Sequence, residues 1–219
     1  MASPAVRTLD WWFDFISPYA YIALEQFHRL PANVEVRLRP VLFAGLLGKW
    51  GQLGPAEIPS KRLFTYQYSQ WLADRRGVTM QFPDAHPFNP LPFLRLSIAC
   101  GNSVQTNRII FRSIWADGRE VGTTEHLTAL QEALAIEDIG ATIDRQDVKD
   151  ELRTNTDRAT ELGVFGVPTF TVDGHIFWGV DGFDFLLDYL ADDELFRRAS
   201  MERAANTRNG IHRKEVTSR

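Results

Sequence analysis

The sequence has a single cysteine, Cys100, so it can form neither an intramolecular disulfide, nor a CxxC redox motif, nor a cysteine zinc cluster. Its five histidines show no ligand spacing, and we expect no metal site. No apolar run approaches the about 20 residues that cross a bilayer, and the N-terminal segment lacks the apolar core of a secretory signal. The formal net charge of −4 argues against a nucleic-acid-binding domain. These absences predict a cytoplasmic protein with no nucleic-acid or membrane partner.

Aromatic residues are abundant, at 12% of the 219 residues, with fifteen Phe and six Trp. They would suit a pocket for a flat ligand, although any single ring more often belongs to the core. A chain of this length can form one or two domains with a substantial core. Composition therefore leaves open whether the rings serve a ligand or the interior.

The stretch from Asp10 to Ala23 predicts a buried strand that runs directly into a helix. Its apolar, aromatic run is typical of a strand covered on both faces. Ser17 is a favoured N-cap, and Pro18 fits the first helical position because its φ is pre-set and it has no N–H to lose. A hydroxyl here lies beside unpaired N–H groups at the positive end of a helix dipole, where an anion is favoured. Ser17 is therefore either a plain cap or part of an anion site.

The next part of the chain predicts a second strand and then a block of helices. Residues 34–41 alternate apolar and charged side chains, which indicates a strand with one wet face near a sheet edge. Residues 43–59 are punctuated by glycine and proline, and neither a helix nor a strand is predicted there. The helices of the block are predicted at residues 60–76, 92–101, 104–116, 124–135 and 144–162. Helices without strands in this region indicate an insertion into an α/β chain.

Strand signals return at residues 164–172 and 175–178, joined by a strong hairpin turn at Asp173-Gly174. Two further helices are predicted at residues 183–191 and 192–204. This order of elements is that of a thioredoxin-like domain split by an insertion.

The predicted fold is therefore α/β, a thioredoxin-like domain with a helical insertion. Residues 1–59 and 156–219 would form the discontinuous thioredoxin-like domain, and residues 60–155 the inserted helical domain. The polar end of the chain, from Asn206, is expected to fray. Cys100 is expected to be a buried small hydrophobe.

Five segments carry a family resemblance: FDFISPYAY (13–21), GQLGPAEIPSK (51–61), FNPLPFLR (88–95), GVFGVPTF (163–170) and FWGVDGFDFL (177–186). Over residues 8–195 the chain resembles the kappa-class glutathione transferases and the 2-hydroxychromene-2-carboxylate isomerases, relatives of the DsbA-type oxidoreductases. The resemblance implies glutathione as cofactor, a small aromatic or enone substrate and a homodimer.

The resemblance also implies roles for the centre of the site. Ser17 stands where DsbA-like enzymes carry a nucleophilic Cys, so the chain cannot shuttle disulfides. In the family this serine hydrogen-bonds the glutathione sulfur and favours its thiolate. Pro168 would be a cis proline, which turns the N–H and C=O of Val167 toward the mouth of the first helix. Val167 would then pair with the cysteinyl backbone of glutathione.

Further positions match family residues that hold the two ends of glutathione. Val180 and Asp181 match the γ-glutamyl end, with Asp181 taking the ammonium group. Lys61 matches a lysine that meets the glycyl carboxylate. Gln52 stands where the family has asparagine, and Gly182 where it often has arginine. The alternatives are a solvated Lys61 and an Asp181 that is only an N-cap.

The resemblance yields one leading function and two alternatives. The leading one is a glutathione-dependent isomerase of the hydroxychromene-carboxylate type in aromatic catabolism, in which a thiolate adds reversibly to a conjugated enone. Trp50, Phe88 and Asn89 are candidates for the second-substrate pocket. The alternatives are a kappa-like transferase or peroxidase and a non-catalytic binding module.

Overall fold

The computed structural model describes residues 5–210. Its sheet has four strands in the order β2-β1-β3-β4. The strands are β1 (Arg7–Phe13), β2 (Val34–Pro40), β3 (Thr169–Val172) and β4 (His175–Trp178). Strand β1 runs parallel to β2 and antiparallel to β3, and β3 pairs antiparallel with β4. The half-exposed strand β2 lies at a sheet edge, as its alternating sequence predicts.

Strand β1 is buried because its side chains enter two cores, one on each face of the sheet. Trp11 and Phe13 stack at 4.3 Å between ring centroids within the larger core. Trp12 points the other way, into a smaller cluster that includes Leu46 and Val164. Alternation of side chains along a strand places neighbours on opposite faces, so a continuous apolar run requires cover on both.

Ten α-helices surround the sheet within the described residues. They are α1 (Pro18–Glu25), α2 (Phe43–Trp50), α3 (Pro59–Arg75), α4 (Leu91–Ala99), α5 (Val104–Trp115), α6 (Thr124–Ala133), α7 (Ile139–Asp144), α8 (Gln146–Glu161), α9 (Gly182–Ala191) and α10 (Ala199–Ala205). Short 3-10 turns lie at Phe27–Arg29, Pro55–Glu57 and Leu195–Arg197. No helix in this part of the chain is both long and apolar enough to cross a bilayer.

Helix α2 forms where the sequence predicts no element, because distant side chains satisfy its first N–H groups. The Phe43 N–H donates to the Asp14 carboxylate at 2.9 Å, and the Leu42 N–H donates to the Thr156 hydroxyl at 3.0 Å. A Cβ on Gly45 would lie only 3.0 Å from the Thr156 methyl carbon, so glycine allows α2 to approach α8. These partners are remote in sequence, so local composition could not reveal them.

Three other predicted elements differ in extent. The helix expected at 144–162 is α8, which begins at Gln146 because Arg145 has a non-helical ψ of 136°, and the short helix α7 before it was not predicted. The helix expected at 192–204 is instead the 3-10 turn at Leu195–Arg197 followed by α10 from Ala199. The strand expected at 164–172 begins only at Thr169, after a cis peptide bond between Val167 and Pro168. The preceding segment is therefore irregular backbone.

The hairpin turn is confirmed: Asp173 and Gly174 have φ of 51° and 81°, the left-handed region that a tight turn between twisted strands requires. Helices α3 to α8 occupy the predicted insertion, but α8 continues across its predicted boundary at 155 and packs against α2 and β2. The predicted polar tail is described only as far as residue 210, and residues 211–219 lie outside the described part.

Candidate active site

Ser17 occupies the N-cap of α1 and keeps a free donor. Its hydroxyl oxygen accepts the Ala20 N–H at 3.2 Å, and Pro18 follows as the first helical residue. No acceptor for its hydroxyl hydrogen occurs within residues 5–210. Ser17 is only 7% exposed, yet it lines a cavity. Capping and donation to an anion are therefore compatible, because they use different parts of one hydroxyl.

Val167 lines the same cavity as Ser17 and offers an unpaired backbone. Its N–H and C=O have no hydrogen-bond partner within the described residues. The carbonyl of the following residue, Pro168, accepts the Gly179 N–H at 2.8 Å. This bond holds the segment against the residue that directly follows β4. A buried residue with an unsatisfied amide and carbonyl at a cavity wall can pair with an extended ligand backbone.

The cavity has a volume of about 310 Å³. Its walls come from the segment before α1, the first turns of α2, the 3-10 turn at Pro55–Glu57, the middle of α3 and the loop before α4. The walls are mostly apolar, with Phe43, Leu47 and Phe88 among them. The cavity thus lies between the sheet domain and the inserted helices, a usual place for a ligand site.

Asp14 is a fully buried carboxylate in the cavity wall. Its two oxygens accept the N–H groups of Ile16 at 3.1 Å and Phe43 at 2.9 Å. Burial raises the pKa of Asp14 to about 7, because loss of hydration outweighs the hydrogen bonds that favour the charged form. Asp14 was not predicted as a site residue. An acidic residue within the aromatic run before Ser17 was the only available signal.

Tyr66 and His86 form a pair that fixes the residue before Ser17. His86 Nε2 lies 2.8 Å from the Ile16 carbonyl, which can only accept, so Nε2 carries the hydrogen. Tyr66 Oη lies 2.6 Å from His86 Nδ1 and 2.8 Å from the His86 carbonyl oxygen. Burial lowers the pKa of His86, which favours a neutral ring, so the single Tyr66 hydroxyl hydrogen is shared between His86 Nδ1 and the His86 carbonyl oxygen. Nothing local in the sequence indicated this pair.

The predicted glutathione-binding charges lie on the surface outside the cavity lining. Lys61 is exposed in the first turn of α3 and makes no ion pair within the described residues. Asp181 is exposed at the start of α9 and makes no capping hydrogen bond. Tyr19 in the cavity wall has its pKa raised to about 12, chiefly by burial and partly by Tyr68 and the Asp181 carboxylate, so Asp181 lies near this wall. Gln52 is exposed just after α2.

Val180 and Gly182 begin α9 under tight packing. Val180 is 4% exposed and belongs to the core, so only its backbone could reach a ligand. A Cβ on Gly182 would lie 3.1 Å from the carbonyl carbon of Phe177, which belongs to the backbone of β4. This close approach explains why a small residue stands there.

Of the three second-substrate candidates, only Phe88 lines the cavity. The Trp50 indole N–H donates to the Val164 carbonyl at 2.9 Å, outside the lining. Asn89 is exposed, and its side-chain oxygen accepts the Leu91 N–H at 3.1 Å at the start of α4. Cys100, expected to be buried, is only half-buried at the end of α4, and burial raises the pKa of its thiol.

The chain is similar to a described protein family and to enzymes of other organisms. A family model described as a DSBA-like thioredoxin domain matches residues 8–191. Glutathione s-transferase kappa 2 of Caenorhabditis elegans is 26% identical over 211 residues, covering 86% of this chain and 94% of that protein. The 2-hydroxychromene-2-carboxylate isomerase of Sphingobium xenophagum is 26% identical over 196 residues, covering 85% and 99%. These relatives are named as enzymes.

Two solved structures share the fold. A 2-hydroxychromene-2-carboxylate isomerase has a TM-score of 0.72 at 21% identity, covering 89% of this chain and 98% of that one. The cytosolic disulfide reductase DsbM of Pseudomonas aeruginosa with GSH has a TM-score of 0.57 at 16% identity, covering 91% and 100%. The predicted thioredoxin-like fold with its helical insertion is confirmed.

Proposed function

The chain belongs to the family of DSBA-like thioredoxin domains, and we propose that it is a glutathione-dependent isomerase acting on conjugated enones. The observation that carries the proposal is that the free hydroxyl hydrogen of Ser17 and the unpaired backbone of Val167 belong to one cavity. Relatives named as kappa transferases and hydroxychromene-carboxylate isomerases support it at 26% identity.

The residues present fit glutathione. Val167 has a free amide and carbonyl for the cysteinyl backbone, next to Pro168. Lys61, without an ion pair in the described part of the chain, would hold the glycyl carboxylate, and Gln52 would contribute an amide nearby. Asp181 would hold the γ-glutamyl ammonium group, and the Val180 backbone would bind the adjacent carboxylate. When bound, glutathione would supply a thiolate that adds reversibly to an enone, so that the double bond becomes single, rotates and re-forms without net consumption.

Ser17 would favour the charged form of the sulfur. A free thiol has a pKa of about 8.5, and lowering it by two units requires about 2.7 kcal/mol of preferential anion stabilisation. A hydrogen bond to a charged group supplies roughly 1.5–3 kcal/mol, and the N-terminus of α1 adds a further few tenths or more. Ser17 would thus serve as donor to the sulfur while Asp14 and the Tyr66–His86 pair hold the segment around it.

The same site would also serve a kappa-like transferase, which 26% identity to such relatives supports equally. A rate assay on cis enones with and without glutathione tests the proposal. We expect turnover that requires glutathione and leaves its total concentration unchanged. Net loss of glutathione would instead identify a transferase or peroxidase. Equal turnover without it would contradict the proposal, and no measurable glutathione affinity would identify a binding module.

An exposed aromatic face on α3 supports the expected homodimer. Phe64, Tyr68 and Trp71 stack in sequence, with centroid separations of 5.6 Å between each neighbouring pair. They are 64%, 38% and 51% exposed, beside an equally exposed Leu63. Patches of this kind are typical of protein interfaces. We expect light scattering to give twice the chain mass, and Phe64→Glu to give the monomer. The cytoplasmic location and the role in aromatic catabolism remain parts of this proposal.

A further inference from the structure

We propose that the cavity above Ser17 accepts uncharged aromatic enones and discriminates against those that carry a carboxylate. This inference rests on the proposed function and specifies its second substrate. The natural substrate of this chain would then be uncharged, whereas the names of the isomerase relatives specify a carboxylate.

The first argument is the charge of the lining. Among the described residues that line the cavity there is neither Lys nor Arg, and the two carboxyl groups are those of Asp14 and Glu57. Asp14 lies within the wall, and Glu57 is at the exposed rim, where it accepts the Gly54 N–H at 2.6 Å. A carboxylate ligand would therefore lose water without gaining a cationic partner.

The candidate cation Arg62 lies outside the cavity lining. Arg62 lines an outer groove that shares Tyr66 and His86 with the cavity. Arg62 is exposed, so water and salt screen its charge. Lys61 also lies outside the lining and is assigned to glutathione.

The second argument is that the hydrogen-bond donors around Ser17 either have partners within the protein or are assigned to glutathione in the proposed function. The backbone N–H groups of Ile16 and Phe43, which could otherwise hold a carboxylate, already donate to Asp14. His86 donates from Nε2 to the Ile16 carbonyl, and the Tyr66 hydroxyl is engaged by His86. The Ser17 hydroxyl and the Val167 N–H are both assigned to glutathione, the first to its sulfur and the second to its cysteinyl backbone.

The pKa values of two residues in the wall show how burial there affects charged groups. Burial raises the pKa of Asp14 and lowers the pKa of His86, and in both residues burial is the largest cause. Burial within this wall therefore disfavours the charged form of both an acidic and a basic side chain. Phe43, Leu47 and Phe88 supply the apolar contact that an uncharged ring requires.

A matched pair of ligands tests the inference. In 4-phenyl-2-oxobut-3-enoate a carboxylate replaces the methyl group of 4-phenylbut-3-en-2-one. We expect kcat/KM for glutathione-dependent isomerisation, divided by the rate with free glutathione at the same pH, to be at least tenfold higher for the uncharged enone. Binding of the saturated analogues, 4-phenylbutan-2-one and 4-phenyl-2-oxobutanoate, is measured by calorimetry with saturating S-methylglutathione present, so that Ser17 and Val167 are not free to bind the carboxylate. Equal or tighter binding of the carboxylate would overturn the inference.

The binding arm separates this inference from the proposed function. Absence of turnover with both enones, with the binding preference intact, would refute the isomerase proposal and leave the charge discrimination standing. A substitution at Ala44 can shift the preference toward the carboxylate analogue, because Ala44 is exposed in the first turn of α2 and lines the cavity. Ala44→Lys should improve carboxylate binding at least fivefold relative to the uncharged analogue, whereas Ala44→Gln should leave the ratio unchanged. An unchanged ratio in Ala44→Lys would count against the inference.

Discussion

The Asp14 carboxylate accepts the Phe43 N–H at 2.9 Å, so a residue at the end of β1 caps helix α2 on the opposite wall of the cavity. Its other oxygen accepts the Ile16 N–H at 3.1 Å, immediately before Ser17. One buried side chain thereby fixes both the segment that presents the hydroxyl and the helix that faces it. Asp14 is consequently a positioning residue, and its ionisation is coupled to folding.

The stability contribution of Asp14 should fall as pH rises. Its pKa of about 7 in the folded chain exceeds the ordinary value of 3.8, so the folded state binds the proton more tightly. Stability is therefore full below about pH 4 and is lost progressively up to pH 7, by as much as about 4 kcal/mol at 1.36 kcal/mol per unit.

Urea unfolding of the wild type and Asp14→Asn at pH 5 and pH 8 measures this effect. Asn keeps one acceptor oxygen but meets the second N–H with its own amide, so at pH 5 it should be less stable by about 1–3 kcal/mol. By pH 8 the difference should shrink or reverse, because the wild type then carries a buried charge. A difference that does not change with pH would contradict the prediction.

Ser17→Ala should raise the pKa of the bound glutathione thiol by about one to two units, because it removes a hydrogen bond to the anion. The ultraviolet absorbance of the thiolate gives this pKa directly. Isomerisation at pH 7 should fall by about three- to twenty-five-fold, which is the loss of thiolate when a pKa near 6.5 rises to between about 7.5 and 8.5.

Ser103→Ala is the matched control. Ser103 caps α5 in the same way, accepting the Thr106 N–H at 3.0 Å, and it does not line the cavity. Both variants should lose about 1 kcal/mol of unfolding free energy, but only Ser17→Ala should change the thiol pKa. Equal thiol pKa values in the two variants would refute the role of Ser17.

Lys61→Gln and Asp181→Asn should each weaken glutathione binding by up to about fivefold, which corresponds to the roughly 0.2–1 kcal/mol of an exposed ion pair. Calorimetry at low and high salt measures the loss of affinity, and the difference between wild type and variant should be smaller at high salt. Lys49→Gln and Asp188→Asn change exposed charges on neighbouring helices and should leave binding unaltered. Equal losses in the control variants would show that net charge, rather than these two groups, governs affinity.

His126 should make the inserted helices sensitive to acid. Its Nδ1 accepts the Gly122 N–H at 3.1 Å and its Nε2 lies 2.9 Å from the Ser113 hydroxyl, which requires a neutral ring. Burial lowers the pKa of His126 below its ordinary value of 6.5, so the folded state resists protonation. Stability should be lost as pH falls below about 6.5, opposite in direction to Asp14.

His126→Gln gives the comparison for this residue. Unfolding free energies at pH 7.5 and pH 5.5 should show a larger loss in the wild type than in the variant. The variant itself should be less stable at pH 7.5, because buried hydrogen bonds are lost. Parallel losses in the two proteins would assign the acid sensitivity to other groups.

Local sequence alone was sufficient for the elements whose causes are local. The apolar run of β1 predicted a strand with two covered faces, Ser17-Pro18 predicted the start of α1, and Asp173-Gly174 predicted the hairpin. Each signal depends on backbone preferences within a few residues, and the structure confirms all three. The resemblance carried by short segments gave the family, which the comparisons confirm.

Tertiary structure alone decided what depends on contacts between residues far apart in the chain. Helix α2 forms because Asp14 and Thr156 satisfy its first N–H groups, and no local pattern encodes such partners. The cavity joins Ser17, Tyr66, His86 and Val167 only because packing brings their elements together, while Trp50 and Asn89 find other hydrogen-bond partners outside it. Sequence sets which groups are available. Burial, which requires the whole fold, sets their partners, their charge and the ligand they can accept.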